Sequence, residues 1–152
     1  MGKWAKTIEI EASPEKVFAF GIDNKKMNDA MKDFAESEIT SKGPFGVGTT
    51  IHFVGKAGGQ QLEWDMEVTE FEKNKKIAYR SVGASKFKMT NSTTLEPTAK
   101  GTNVTYSVDY KLPYSILGKL VDKLRVSKDI DRDNTKLLEN IKKALDRIVR
   151  AL

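Results

Sequence analysis

From Trp4 to Glu11 apolar and polar residues alternate, with Trp4, Ile8 and Ile10 set against Thr7, Glu9 and Glu11. A period of two predicts a strand. Ser13-Pro14-Glu15 then reads as a helix start. Ser13 is the N-cap, and Pro14 takes the first helical position, where its missing N–H costs nothing. Val17, Phe18 and Phe20 follow, and Gly21 ends this short helix. A second short helix fits Asp23 to Lys32, because Met27, Ala30, Met31 and Phe34 recur at helical spacing. From Phe34 to Leu112 the period returns to two, predicting strands near 35–42, 48–55, 61–72, 76–83, 86–96 and 101–112. Short turn signals separate them: Gly43-Pro44-Phe45-Gly46, Gly58-Gly59, Lys73-Asn74-Lys75, Gly83 and Lys100-Gly101. Connections this short make hairpins, hence an antiparallel meander. Leu62, Trp64, Met66 and Val68 share one face, with Glu63, Asp65 and Glu67 opposite. Phe87, Met89, Asn91, Thr93 and Leu95 share another, as do Val104, Tyr106, Val108, Tyr110 and Leu112.

A sheet with one apolar face needs a cover. The C-terminal stretch supplies it. After Pro113, apolar residues recur at Leu117, Leu120, Val121 and Leu124, then at Ile130, Leu137, Leu138, Ile141, Leu145, Ile148, Val149 and Leu152. These steps of three and four lay one stripe along a helix. The stripe is interrupted by the polar stretch Arg125–Lys136. A single helix from Pro113 onward would run roughly 60 Å at about 1.5 Å per residue, too long for so small a domain. The pattern predicts a short helix near 114–124 and a bend, or a helix that overhangs its partner, then a long helix to the C-terminus. The polar stretch is read as a kink, a solvated overhang or a cavity wall. In the last case Asn134 falls on the core-facing side, with Ser127 near the level of Ile130.

The chain has 152 residues, 39% hydrophobic and 31% charged, which suits one domain spanning 1–152 with one core. No apolar run approaches the roughly 20 residues of a membrane span, and MGKWAKT lacks the apolar core of a signal peptide. With no cysteine, disulfides, thiol catalysis and thiolate metal sites are excluded. A cytoplasmic location is expected. The net charge is +5, carried by lysine far more than by arginine. That excess suits a weak anionic-surface or protein partner, but no basic run is interleaved with aromatics, so no DNA is expected as partner.

The candidate chemistry is thin. His52 is the sole histidine and alternates onto the face of Thr50 and Val54, a half-buried or surface position. One histidine without cysteine makes a zinc site implausible, so no metal and no cofactor are expected. Glu36 with Glu38, and Glu63 with Asp65 and Glu67, read as a solvated outer face. The glycines at 43, 46 and 48 lack the Lys-Ser/Thr and the following helix of a phosphate loop, and read as a turn. Asn91 and Thr93 are polar on an apolar strand face; they are either groups that orient a ligand in a pocket or part of a wet rim. Tyr79, Tyr106 and Tyr110 join hydroxyls to apolar rings, which fits an amphipathic ligand as well as an ordinary core.

The order strand, two small helices, six antiparallel strands, long helix resembles the START-like (SRPBCC) superfamily, the α+β helix-grip fold. The resemblance covers nearly the whole chain and is carried by IEIEASPEKVFAFGID (8–23), GPFGVGTTIHF (43–53), WDMEVTEFEKNKKIAYRS (64–81) and YKLPYSILGKLVDKL leading into LLENIKK (110–143). Within it the chain looks most like small polyketide cyclase/dehydrase-type and coenzyme-Q-binding-type proteins. The resemblance implies a curved sheet of about seven strands around the long helix, with a cavity between them for a lipid, an isoprenoid quinone or a polyketide-like molecule, and the glycine-rich loop at 43–48 on the cavity rim. The residues expected on the cavity wall are Trp64, Met66, Tyr79, Phe87, Met89, Asn91, Tyr106, Tyr110, Asn134 and Leu138. The leading expectation is a non-enzymatic binding protein, a monomer or homodimer. The alternatives are a cyclase/dehydratase-type enzyme, with Tyr79 and Asp131 as proton-moving groups, and a co-chaperone or ribosome-associated interaction module. No convincing buried acid–base pair supports the enzyme.

Overall fold

The structure is a computed structural model and describes residues 2–57, 59–83, 88–111 and 123–151. Its elements follow the order β1 (Gly2–Ile10), α1 (Pro14–Gly21), α2 (Asn24–Met31), β2 (Ala35–Ile39), β3 (Thr50–Ala57), β4 (Gln60–Glu72), β5 (Lys76–Val82), β6 (Lys88–Pro97), β7 (Thr102–Lys111) and α3 (Lys123–Ala151). The two short helices start where their caps require. Ser13 Oγ accepts from the Lys16 N–H at 3.3 Å, and Asp23 Oδ1 accepts from the Lys26 N–H at 3.1 Å.

The strands form one antiparallel sheet of seven in the order β1-β7-β6-β5-β4-β3-β2. It is curved and wraps α3, with α1 and α2 inserted between the two edge strands in sequence; this is the helix-grip fold. The alternation along β4 fails at one place. The register with β5 shifts between Val68 and Glu70, a bulge that brings Phe71 back to the inner face three residues after Val68. Phe71 there packs edge-on against Phe18, with centroids 5.2 Å apart, and against Phe45 at 6.0 Å.

The glycine-rich loop between β2 and β3 is a turn bonded back to the sheet. Gly43 and Gly48 have φ of 92° and 93°, a region open to glycine but strained for other residues. The Gly48 N–H donates to the Val68 carbonyl at 2.9 Å, and the Val68 N–H returns to the Thr49 carbonyl at 2.9 Å.

Helix α3 runs without a break through the polar stretch. Val126, Ile130, Asn134, Leu137, Leu138, Ile141 and Leu145 succeed one another on its inner side, so the interruption read in the sequence is a cavity wall, not a kink or an overhang. Two positions differ from the expected stripe. Leu124 is 60% exposed, whereas Val126, two residues on, is 1% exposed and clusters with Val108 and Tyr110. The face of the helix is therefore rotated from the one that Leu124 implied. Ser127 is exposed, away from the cavity. The short helix expected near 114–124 falls mostly outside the described residues.

Side-chain hydrogen bonds fix the helices to the sheet and to each other. The buried Thr102 hydroxyl donates to the Ala12 carbonyl at 2.8 Å, tying β7 to the start of α1. Asn140 Nδ2 donates to the Ala30 carbonyl at 2.8 Å, satisfying one of the carbonyls that the end of α2 leaves unpaired. Asn28 accepts from the Ser37 N–H at 2.7 Å and donates to the Ser37 carbonyl at 2.8 Å, so α2 is held along β2.

Candidate functional site

Between the inner face of the sheet and α3 lies a cavity of about 240 Å³. The sheet and α3 form most of its wall, and residues of α1 and α2 with Phe45 of the glycine-rich loop complete it. Most of the wall is apolar, including Phe20, Met31, Phe53, Trp64, Met66, Met89, Val108, Ile130 and Ile141. Phe53 and Trp64, cross-strand partners on β3 and β4, stack nearly parallel, with centroids 5.6 Å and planes 8° apart.

Polar groups stand on several sides of the wall: Asn24 on α2, Ser37 on β2, Lys56 on β3, Asp133 and Asn134 on α3, and a set of four on β5, β6 and β7. Tyr79 stands opposite Asn91, and Thr93 stands opposite Tyr106. All four line the cavity. Burial drives the Tyr79 phenol well above its ordinary range, with the nearby Tyr106 adding to the shift, and burial alone pushes Tyr106 up to about 12. Both hydroxyls therefore stay protonated and neutral around pH 7 and are available as hydrogen-bond donors. Asn91 Nδ2 points to Met89 Sδ at 3.7 Å, and Asn91 Oδ1 is buried without a hydrogen-bond partner.

A wider outer groove of about 860 Å³ shares Phe34, Lys56 and Asp133 with the cavity wall, which marks the mouth. Its remaining border is charged in both signs, with Lys6, Arg125, Arg132 and Lys136 against Asp129, Asp131 and Glu139. Desolvation raises the Asp133 carboxyl, an effect opposed by its hydrogen bond from Arg132 Nε at 3.2 Å.

Of the residues expected on the wall, Trp64, Met66, Tyr79, Met89, Asn91, Tyr106, Asn134 and Leu138 line the cavity. Tyr110 does not. Its ring lies over Gly2, its partner on β1, in the space a Cβ would need, and it packs with Val108 and Val126. Phe87 lies outside the described residues. Asp131, the carboxylate expected in the enzyme alternative, is exposed and accepts from Trp4 Nε1; the carboxylate on the wall is Asp133. The sequence reading also missed Phe34, Phe45, Lys56 and Ile130 as lining residues. For Phe45 the signal was the resemblance, which puts its glycine-rich loop on the cavity rim.

His52 is on the outer face. Its ring nitrogens lie 2.9 Å from Asp65 Oδ1 and 3.3 Å from Glu63 Oε1. Those hydrogen bonds, Asp65 first, raise its pKa above 6.5. Among the described residues no group of three or more His, Asp or Glu side chains is arranged to hold a metal ion. Among them, too, no helix is long and apolar enough to cross a membrane.

The family model described as polyketide cyclase/dehydrase and lipid transport matches residues 1–146. The chain belongs to this family. It is thus a member of the SRPBCC, or helix-grip, superfamily, and its cavity is that of a hydrophobic-ligand-binding fold. Solved structures agree on the fold. A protein of Thermus thermophilus superposes with a TM-score of 0.81 at 22% identity, over 97% of this chain and 99% of that one. The Zhui aromatase/cyclase from a Streptomyces species gives a TM-score of 0.78 at 15% identity, over 99% and 96%. A protein of Deinococcus radiodurans gives 0.67 at 15%, over 99% and 100%. No curated protein matches the chain in sequence.

Proposed function

We propose that this family member is a non-enzymatic carrier or receptor that holds one small hydrophobic or amphipathic molecule, of lipid, isoprenoid quinone or polyketide-like class, between the sheet and α3. The observation that carries this reading is the cavity wall itself: a mostly apolar surface with a minority of polar groups set into it, Tyr79, Asn91, Thr93 and Tyr106 on the sheet and Asn134 on α3 among them. Transfer of apolar ligand surface out of water supplies the affinity, at roughly 25 cal/mol per Å² buried, and the polar groups set orientation. Trp64, Met66, Tyr79, Met89, Asn91, Tyr106, Asn134 and Leu138 are the ligand-contacting residues on this reading. Catalysis is disfavoured because burial moves the pKa values of Tyr79 and Tyr106 further above pH 7, and His52 is on the far side of the sheet, engaged with Asp65 and Glu63.

A second reading is a cyclase/dehydratase-type enzyme acting on a polyketide-like substrate. It rests on Asp133, a carboxyl on the cavity wall whose pKa is raised by burial, and on the fold shared with an aromatase/cyclase. On this reading Asp133→Asn abolishes a turnover that Asp131→Asn leaves intact.

Native mass spectrometry of the protein purified from its own source, followed by organic extraction, tests the first reading. It expects a stoichiometric adduct that releases a lipid, quinone or polyketide. An apo mass, together with no uptake from a hydrophobic library, would sink it.

A further inference from the structure

We infer that the buried end of the ligand carries a neutral hydrogen-bond donor, an alcohol or phenol hydroxyl, and that Asn91 selects it. This rests on the reading of the cavity as a ligand site. Asn91 is in the middle of β6, flanked by Tyr79 on β5 and Val108 on β7. Its amide is orientated by chemistry: Nδ2–H has Met89 Sδ, a weak acceptor, at 3.7 Å, whereas an oxygen in that place would meet a sulfur with no hydrogen. Oδ1 is left as a buried acceptor with nothing to accept from. Buried side-chain polar atoms are paired in the great majority of native structures, and an orphan asks for an explanation.

Oδ1 is buried in this rotamer while the residue as a whole lines the cavity. The terminal torsion of asparagine is soft and broad, so a small turn of the amide brings Oδ1 to a ligand atom. A hydroxyl fits both sides of this spot. Its hydrogen goes to Asn91 Oδ1, and its oxygen accepts from the neutral phenol of Tyr79 standing opposite. An anionic head does not fit, because it would bring a second acceptor to Oδ1. The one cationic side chain among the described lining residues, Lys56, is exposed at the mouth.

Two isomers separate donor recognition from apolar burial: 1-decanol, which donates and accepts, and 1-methoxynonane, which only accepts. Calorimetric titration of the wild-type chain is expected to show decanol binding about tenfold tighter, the size of one well-made hydrogen bond to an otherwise unpaired group. In Asn91→Leu, and in Asn91→Ala as a second variant should the leucine protein fail to fold, the two isomers are expected to bind within about twofold of each other, since the hydrogen bond that separates them is gone. Asn91→Leu is also expected to unfold at the same temperature or higher, since it removes a buried orphan. Equal binding of both isomers to wild type, or a preference of about tenfold that survives in the variants, overturns the role of Asn91 and leaves the cavity reading standing. Binding of neither isomer overturns both.

Discussion

Trp4 Nε1 donates to Asp131 Oδ1 at 2.8 Å, joining the first strand to the last helix across 127 positions of sequence. The same indole sits edge-on to Tyr106 on the cavity wall, with centroids 5.7 Å apart and planes at 70°. One side chain thus clasps α3 to the sheet at its polar end and braces a wall residue. Trp4→Phe keeps an aromatic ring and removes the donor. It is expected to cost about 0.5–1 kcal/mol, read as a lowered urea midpoint with an unchanged slope. Asp131→Ala should cost a similar amount, and the double variant should fall short of the sum, because both remove one bond.

Thr102 is 0% exposed, and its hydroxyl is the partner of the Ala12 carbonyl just before α1. Thr102→Val preserves shape and leaves that carbonyl without this donor. We expect a loss of about 1–3 kcal/mol, measured by equilibrium denaturation. A neutral effect would mean that water reaches the Ala12 carbonyl.

His52 gives the outer face a pH dependence of stability. Hydrogen bonds to Asp65 and then to Glu63 raise its folded pKa above the value of 6.5 it has when unpaired. A group raised on folding stabilises the protein fully below its unfolded pKa, and that contribution disappears as the pH climbs through the folded value. Denaturation curves should therefore show stability falling as the pH rises from below 6.5 through the raised pKa, and His52→Gln should flatten this segment. The site is part exposed, so the effect is small and shrinks with salt.

Asn140 marks how α3 holds α2. Asn140→Ala frees the Ala30 carbonyl at the end of α2. An expected loss of about 1 kcal/mol should come with faster amide exchange in α2 than in β6 or β7.

Much of this molecule is legible in its sequence, for identifiable reasons. Ser13 before Pro14, and Asp23 before a helical repeat, set both short helices to within a residue because caps are local chemistry. Strand alternation placed Trp64, Met66, Met89, Asn91 and Tyr106 on one inner surface, since period two fixes a face once the strand is known. What the chain conceals depends on contacts between distant segments. The bulge after Val68 carries no local signal, yet it decides that Phe71 points inward. Leu124 outranks Val126 in size, but the angle at which α3 meets the sheet buries Val126 and exposes Leu124. Tyr110 follows the strand pattern faithfully and still misses the cavity, because Gly2 leaves room for its ring at the sheet edge. The polar stretch at 125–136 was ambiguous for the same reason: a helix stripe that faces a cavity and one that faces water use similar residues.

On the proposed function, the space beside Trp64 takes a ligand. The chain has two tryptophans, so Trp4→Phe leaves Trp64, stacked on Phe53 in the cavity wall, as the sole indole. Titrating that protein with 1-decanol while recording Trp64 emission tests the claim most directly. A saturable change that fits one site per chain is expected. Emission that stays flat, or drifts linearly up to the solubility limit of decanol, would contradict it.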